Sequence, residues 1–227
     1  KIAFIENYNV SKAEKIIPAA DISQQISTAG MEASGTGNMK LSMNGALTVG
    51  TEDGANIEMR EAVTDNWWPF SFGAKVEELE KIKKEKSYNS WEIYIQNPAI
   101  RQAVYSLKDG SLVKTEQEHQ ALCHLYDLLV NEQPGNGADR YFVLKDLPAF
   151  YEVQNKAETL YLEPHKWAQF AIHNVAGMGR FSSDVVINNY AQKVWQLEKS
   201  YIDREILAKI QQAYAETSPF TAKKPAS

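Results

Sequence analysis

The residues with the clearest capacity for chemistry form one short stretch, EASGTGNMK, at positions 32–40. Its alternating glycines, Gly35 and Gly37, let the backbone turn sharply and approach a ligand closely. If a helix starts near Gly37, its first amide groups form an anion site that the helix dipole strengthens. Lys40 then lies about one turn further on, roughly 4.5 Å along the helix axis. The stretch therefore predicts a ligand with an anionic group at one end and a lysine-reactive group at the other.

Two common phosphate-binding motifs do not match this stretch. A P-loop requires G-x-x-x-x-G-K-[ST], but Lys40 is followed by Leu41 and the glycine spacing differs. The dinucleotide fingerprint G-x-G-x-x-G requires a glycine where Lys40 stands. A lysine that can form a Schiff base beside a phosphate cradle points instead to pyridoxal phosphate. From spacing alone, a glycine-rich turn with an exposed lysine remains an open alternative.

The elements that must position this stretch alternate between strands and helices. We expect a buried strand over 1–5 and further strands near 25–27, over 46–51 and at the end of WWPFSFG. Between them we expect a short helix, opened by a capping box at Ser11 and limited by Pro18, and further helices over 38–44 and 57–62. This alternation predicts an α/β protein with a doubly wound sheet, whose ligand lies at the carboxyl ends of the strands. Asp53 and Gly54 are expected to form the turn after the second strand rather than to contact a ligand.

Beyond Gly73 the sequence predicts mainly helices. The first is a charged surface helix over 75–86. The next is opened by a capping box at Thr115 and carries on one face Leu122, Leu125, Tyr126 and Leu129. Helices over 146–161 and 163–175 follow, and a last helix from Ser182 or Ser183 carries on one face Tyr190, Val194, Leu197 and Tyr201. A break is expected at 134–137 and a frayed tail from Pro219. A strand that begins at the first residue further suggests that the chain is a piece of a longer protein, cut inside a domain.

Composition narrows the class of protein. Of 227 residues, 44% are hydrophobic and 23% are charged, as in soluble globular proteins. A net charge of −5 gives no reason to expect a nucleic-acid partner. Cys123 is the single cysteine, which excludes an internal disulfide and suits a reducing compartment. No apolar run approaches the ~20 residues that span a bilayer. We therefore expect a cytoplasmic protein without a membrane partner.

Other residue types with chemical potential have simpler interpretations. His119, Cys123 and His124 offer metal-ligand types, but a second pair of ligands is missing, and we predict no metal site. Cys123 is expected in the core and His165 and His173 at the surface or at a helix contact. Trp67 and Trp68 could stack on a sugar, but just before a strand they are more typical of core packing.

The stretch EASGTGNMK, followed by NGALTVGTEDGAN, resembles the cofactor-binding signature of the α-glucan phosphorylases, which are the glycogen, starch and maltodextrin phosphorylases. The similarity extends through FIENYNVSKAEKIIPAADISQQISTAG and FSSDVVINNYAQKVW, to about residue 199. In that family two Rossmann-like domains face each other across a cleft, the GT-B fold. The resemblance implies that residues 1–74 are the second half of the C-terminal, cofactor-binding domain, that 75–199 are its mainly helical remainder, and that 200–227 are a C-terminal extension.

The resemblance also implies an activity and its residues. Inorganic phosphate would cleave the terminal glucose of an α-1,4-glucan and release glucose 1-phosphate, with pyridoxal 5'-phosphate held by Lys40 as a Schiff base. The remaining matched positions are Thr36, Gly37 and Tyr8 for the cofactor, and Glu32, Ser34 and Gly35 for the sugar hydroxyls. Asn9 replaces a residue that is often basic in the family. A homodimer is implied for the full-length protein.

The resemblance leaves two other functions to weigh. A non-catalytic binding or interaction module derived from a phosphorylase is one, but the intact stretch at 32–40 favours the enzyme. An amino-acid-transforming pyridoxal enzyme is the other, and it would need partners for a substrate carboxylate that the sequence near the loop lacks. The only basic residues before the loop are Lys1, Lys12 and Lys15, too few to bring two phosphates together. We therefore expect this chain alone to be inactive.

Overall fold

Three short parallel strands form the sheet in the described part of the chain. The computed structural model describes residues 2–131, 137–198 and 201–217, and it divides into two units, 1–182 and 183–227. Strand β1 (Ile22–Gln25) pairs with β2 (Leu47–Thr51), which pairs with β3 (Ser71–Phe72). All five residues of β2 are buried, as expected for the central strand of a parallel sheet covered on both faces. The predicted α/β class with a parallel sheet is confirmed.

Helices connect the strands and follow them. The first unit contains α1 (Val10–Ile16), α2 (Gly37–Met43), α3 (Asn56–Val63), α4 (Val76–Glu85), α5 (Ser90–Gln96), α6 (Pro98–Tyr105), α7 (Glu116–Val130), α8 (Val143–Tyr161) and α9 (Pro164–Gly177), with 3-10 turns at Ile17–Ala19, Asp65–Trp67 and Met178–Phe181. The second unit contains α10 (Ser183–Asn189), a π-helical segment (Tyr190–Val194) and α11 (Arg204–Thr217). Within the described ranges, no helix has the length and apolar character needed to cross a membrane.

The main core lies between the sheet and two long helices. Leu47 and Val49 of β2 pack with Phe70, with Val153 of α8 and with Trp167 of α9. A second cluster joins Met59 and Val63 of α3 to Trp68 and Met178, and the partly buried Met39 and Met43 of α2 pack against it. Apolar side chains of α2 and α3 therefore form a packed cluster on their side of the sheet.

Several predicted elements are present close to their expected bounds. Helix α2 begins and ends one residue earlier than predicted, and strand β2 begins one residue later. Helix α7 begins with both hydrogen bonds of the capping box at Thr115. Trp68 is buried and Trp67 stacks on the His173 ring at 3.6 Å between centroids, which confirms core packing for the tryptophans and a helix contact for His173.

The start of the chain differs from the prediction. Residues 2–5 form no strand, and Ile2 and Phe4 are fully exposed. No strand among the described residues lies beside them, and a strand requires a partner for its backbone groups. Lys1 lies outside the described residues. Helix α1 begins at Val10 with Asn9 as its cap rather than Ser11, because the extended backbone of Asn9 lets its Oδ1 accept from the Lys12 amide at 3.2 Å.

Four further expectations are corrected in their details. Strand β1 ends at Gln25 rather than running to Ser27, because Ser27 is hydrogen-bonded to the side chains of Thr51, at the end of β2, and of Asp53, after it. Leu125 of the predicted stripe is exposed, and Cys123 is only partly buried. The last predicted helix ends at Asn189, and the π-helical segment follows.

Some predictions are not tested by the described residues. Most of the predicted break at 134–137 and the predicted tail from Pro219 lie outside them. The domain bounds at 74 and 199 stay predictions.

Candidate functional site

The glycine loop lies between β1 and α2, at the carboxyl end of the sheet. Gly35 has a φ of +85°, a conformation that favours glycine, and α2 begins at Gly37. The Lys40 amide donates to the Thr36 carbonyl at 3.1 Å, which places Lys40 one helical turn after Thr36. The predicted geometry, a tight loop followed directly by a helix that carries Lys40, is confirmed.

Lys40 has no anionic partner among the described residues, as is also true of other exposed lysines such as Lys81 and Lys84. The Lys40 side chain is exposed, and among the described residues its ammonium group makes neither an ion pair nor a hydrogen bond. Other lysines are engaged with acids or carbonyls, namely Lys12 with the Glu6 carbonyl, Lys75 with Glu52, Lys145 with Glu78 and Lys166 with Glu163. The Nζ atom of Lys40 is therefore free of partners that would compete with a ligand.

Thr36 also keeps its side chain available. It precedes α2 as the N-cap residue but makes no capping hydrogen bond to the helix. A threonine in this position usually caps the helix with its hydroxyl. The Thr36 hydroxyl and the first amides of α2 therefore lie together at the loop, which is the donor set that an anionic group requires.

The predicted sugar-binding residues lie on the exposed side of the same loop. Glu32 and Ser34 are both exposed. The Ser34 hydroxyl donates to the Gly35 carbonyl at 3.2 Å, and the Ser34 amide lies 3.5 Å from Glu32 Oε1. These are weak local interactions, so a ligand's hydroxyl groups can replace them.

Tyr8 is not brought to this loop by any contact that the structure describes. It lies before α1 with 59% of its surface exposed. No hydrogen bond or ring contact of the described residues joins it to residues 32–40. Its role in a cofactor pocket stays a prediction.

The loop is held by a buried aspartate that the sequence analysis treated as a turn residue. Asp53, which follows β2, is 3% exposed. Its Oδ1 accepts from the Gly30 amide at 2.8 Å, and its Oδ2 accepts from the Ser27 hydroxyl at 2.6 Å and from the Glu32 amide at 2.9 Å. No local sequence signal could have identified this role, because all three donors lie 21 to 26 residues before Asp53.

Gly54 lets this turn approach the loop closely. The Ala55 amide donates to the Ser34 carbonyl at 2.6 Å. A Cβ atom on Gly54 would lie 2.5 Å from that carbonyl oxygen, closer than real Cβ contacts allow, and its φ of +50° also favours glycine. The turn at 53–55 therefore contacts the loop on both sides of residue 33.

A buried amide pair holds the start of α2. Asn38 Nδ2 donates to Asn56 Oδ1 at 2.9 Å, and Asn56 Nδ2 donates to the Thr51 carbonyl at 3.1 Å. Both side chains are almost fully buried. Buried amides keep their place only when they are hydrogen-bonded, and this chain of bonds ties α2 to α3 and to the end of β2.

Two of the other candidate residues, His119 and His173, have structural partners. His119 Nε2 lies 2.9 Å from the Lys108 carbonyl. In the part of the chain that the structure describes, no group of three or more metal-ligand side chains comes together. Of the site residues predicted from the sequence, six lie together at the loop and the start of α2, namely Glu32, Ser34, Gly35, Thr36, Gly37 and Lys40.

Comparison with known proteins identifies the family of the chain. The family described as carbohydrate phosphorylase matches residues 1–197. The muscle form of glycogen phosphorylase from Rattus norvegicus is 45% identical over 201 residues, which are 88% of this chain and 23% of the rat protein. The brain forms from Homo sapiens and Bos taurus are 45% and 46% identical over 88% and 87% of this chain. This chain spans less than a quarter of the length of these curated relatives. The family match covers most of the chain, and the chain belongs to the carbohydrate phosphorylase family.

Proposed function

We propose that this chain supplies the cofactor-binding part of an α-glucan phosphorylase. The reaction is the cleavage of the terminal glucose of an α-1,4-glucan by inorganic phosphate, with release of glucose 1-phosphate. The observation that carries the proposal is the position of Lys40, unpaired and one turn beyond Thr36, in a chain of the carbohydrate phosphorylase family. The relatives named above are glycogen phosphorylases, which supports a glucan as the substrate class.

The loop and the first turn of α2 fit pyridoxal 5'-phosphate. Backbone amides from Gly35 to Gly37 and the uncapped Thr36 hydroxyl would hold its phosphate, and Lys40 would anchor its carbonyl carbon. When bound, the cofactor would supply a phosphate whose second ionisation, with a pKa of about 6, suits proton transfer near neutral pH. The anchoring lysine needs no anionic neighbour, which agrees with the absence of an ion pair at Lys40 among the described residues.

The exposed residues of the loop are assigned to the sugar. The Glu32 carboxylate would accept hydrogen bonds from sugar hydroxyls, and the Ser34 hydroxyl and the Gly35 amide would donate to them. A site built from preorganised hydrogen-bonding groups orients the glucosyl unit against the phosphate. Tyr8 is assigned to the edge of the cofactor pocket on the resemblance alone.

The wider architecture belongs to the same proposal. We assign residues 1–74 and 75–199 to the Rossmann-like, cofactor-binding domain of a GT-B enzyme and 200–227 to an extension. The three-stranded parallel sheet and the helices that cover it support this assignment. A homodimer and a cytoplasmic location are further parts of the proposal.

Substitution of the anchoring lysine tests the proposal in a full-length enzyme that carries this sequence. Lys40→Ala should abolish covalent retention of the cofactor and almost all release of glucose 1-phosphate from maltodextrin and phosphate. Lys75→Ala is the control, because Lys75 is a solvent-exposed lysine that is paired with Glu52 at 3.4 Å and has no recorded contact with residues 32–40. Lys75→Ala should retain the activity. Full activity of Lys40→Ala would overturn the assignment.

A further inference from the structure

One buried carboxylate has no part in the proposed binding of cofactor or sugar. Asp53 is 3% exposed, and both of its oxygens accept hydrogen bonds. Burying a carboxylate is unfavourable unless its oxygens are hydrogen-bonded, so these bonds define the place of the side chain. All the donors belong to residues 27–32, the segment that leads into the candidate loop.

The hydrogen bonds of Asp53 connect the loop to the most buried strand of the sheet. Asp53 comes two residues after β2, whose Leu47 and Val49 are fully buried. The Thr51 hydroxyl adds a further connection by donating to the Ser27 carbonyl at 2.7 Å. The backbone at Gly30 and Glu32 is therefore held by residues at and just after the end of β2, in addition to the local turn in which the Met31 amide donates to the Thr28 carbonyl at 3.0 Å.

The turn after β2 holds the loop at a second point. The Ala55 amide donates to the Ser34 carbonyl, so Glu32 and Ser34 are both tied to residues 53–55. Only residue 33 lies between them. Their side chains are exposed, while their backbone is fixed.

We propose that Asp53 is a positioning residue of the candidate site. Its carboxylate holds the Gly30 and Glu32 amides and thereby orders the loop before any ligand arrives. A loop that is already ordered loses less conformational freedom on binding, which raises affinity without adding a contact. This inference rests on the proposed function and names the residue that prepares the site for it.

Asp53→Asn is the variant that tests the inference with the least change in shape. An amide has one acceptor oxygen, and its NH2 group would face an N–H or O–H donor. The variant therefore cannot accept from both Gly30 and Glu32 in the present arrangement. Asp146→Asn is the matched control. Asp146 is a partly buried aspartate that accepts from the Ala74 amide, just after β3, at 2.9 Å, and it has no recorded hydrogen bond to the loop.

Hydrogen exchange of single amides gives the first readout, on the complete 227-residue chain. Asp53→Asn should speed exchange of at least one of the Gly30 and Glu32 amides by about 10- to 100-fold, because one of them then faces the NH2 group in place of an acceptor oxygen. Asp146→Asn should leave these two amides unchanged, although both variants lower the melting temperature. Equal exchange at Gly30 and Glu32 in the two variants would overturn the inference.

Binding of pyridoxal 5'-phosphate, followed by the absorbance of the bound cofactor, gives the second readout. Asp53→Asn should weaken binding by about tenfold, whereas Asp146→Asn should change it by less than about twofold. Equal affinity of the wild-type chain and Asp53→Asn would overturn the inference and leave the proposed function standing. Failure of the wild-type chain to bind the cofactor would count against the proposed function, whereas the exchange of the Gly30 and Glu32 amides would still decide whether Asp53 orders the loop.

Discussion

At the scale of single residues, the turn at Asp53–Ala55 determines where the candidate loop lies. Asp53 supplies the acceptors, Ala55 supplies a donor, and Gly54 between them provides the space for the Ser34 carbonyl. Each of these roles depends on the residue type. A longer acid at position 53, any side chain at position 54 or a proline at position 55 would not fit. The same loop carries the residues assigned to the cofactor and the sugar.

Gly54→Ala should destabilise the chain more than an alanine at another left-handed glycine. The added Cβ would lie 2.5 Å from the Ser34 carbonyl oxygen, in addition to the strain of a positive φ. Gly110→Ala is the control, because Gly110 has a φ of +81° but no atom within 4 Å of the added Cβ. Urea unfolding should show a loss in Gly54→Ala that exceeds the loss in Gly110→Ala by about 1–3 kcal/mol. Equal losses in the free energy of unfolding would contradict this prediction, because they would mean that the loop shifts to accommodate the added Cβ.

At the scale of elements, helix ends are set by side chains that satisfy free backbone groups. In α7, the Thr115 hydroxyl accepts from the Glu118 amide, and Glu118 Oε2 accepts from the Thr115 and Lys114 amides at 3.0 Å. These hydrogen bonds lower the pKa of Glu118, with the Lys114 amide as the largest cause. The start of α7 is therefore most stable when Glu118 is ionised.

The stability that Glu118 contributes should depend on pH. Because its pKa is lowered in the folded chain, the contribution is present above the ordinary value of 4.5 and is lost as the pH falls through the folded pKa. Glu118→Gln should therefore be less stable than the wild-type chain at neutral pH and approach it in acid. Glu116→Gln is the control, since Glu116 lies in the same first turn but only accepts from Gln120. Urea midpoints measured from pH 7 downward test this, and a constant difference for Glu118→Gln would contradict it.

Elements defined by local patterns were predictable from the sequence. The capping box at Thr115, the glycine loop before α2 and the apolar run of β2 depend on neighbours within a few residues. The end of β1 was not predictable in this way, because Ser27 is drawn to Asp53, 26 residues away. The apolar residues 2–5 carry a strand pattern, but pairing depends on a neighbouring strand that no local pattern reveals.

In the candidate site, too, some residues were predictable from local sequence and others were not. Lys40, Thr36 and the glycines were identified from spacing and resemblance, since they are contiguous in sequence. Asp53 was missed as a functional residue because its role depends on hydrogen bonds to a distant loop. Nothing in its own segment distinguishes it from an ordinary turn aspartate.

At the scale of the whole molecule, the candidate site lies within the first unit, residues 1–182. The family match extends through residue 197, and α11 lies beyond it. Every residue that the proposal assigns to cofactor or sugar is numbered 40 or lower, and their recorded supports lie between 51 and 56. Selective attachment of the cofactor at Lys40 should therefore be a property of this chain itself.

The measurement that tests the central claim most directly is the site of covalent attachment of pyridoxal 5'-phosphate. The purified chain is incubated with the cofactor, reduced with borohydride, digested and mapped by mass spectrometry. We predict that the pyridoxyl group is found on Lys40, because among the lysines that the structure describes only this one lies one turn from the loop amides. Label spread over surface lysines such as Lys75 and Lys84, with Lys40 no more reactive than they are, would contradict the account.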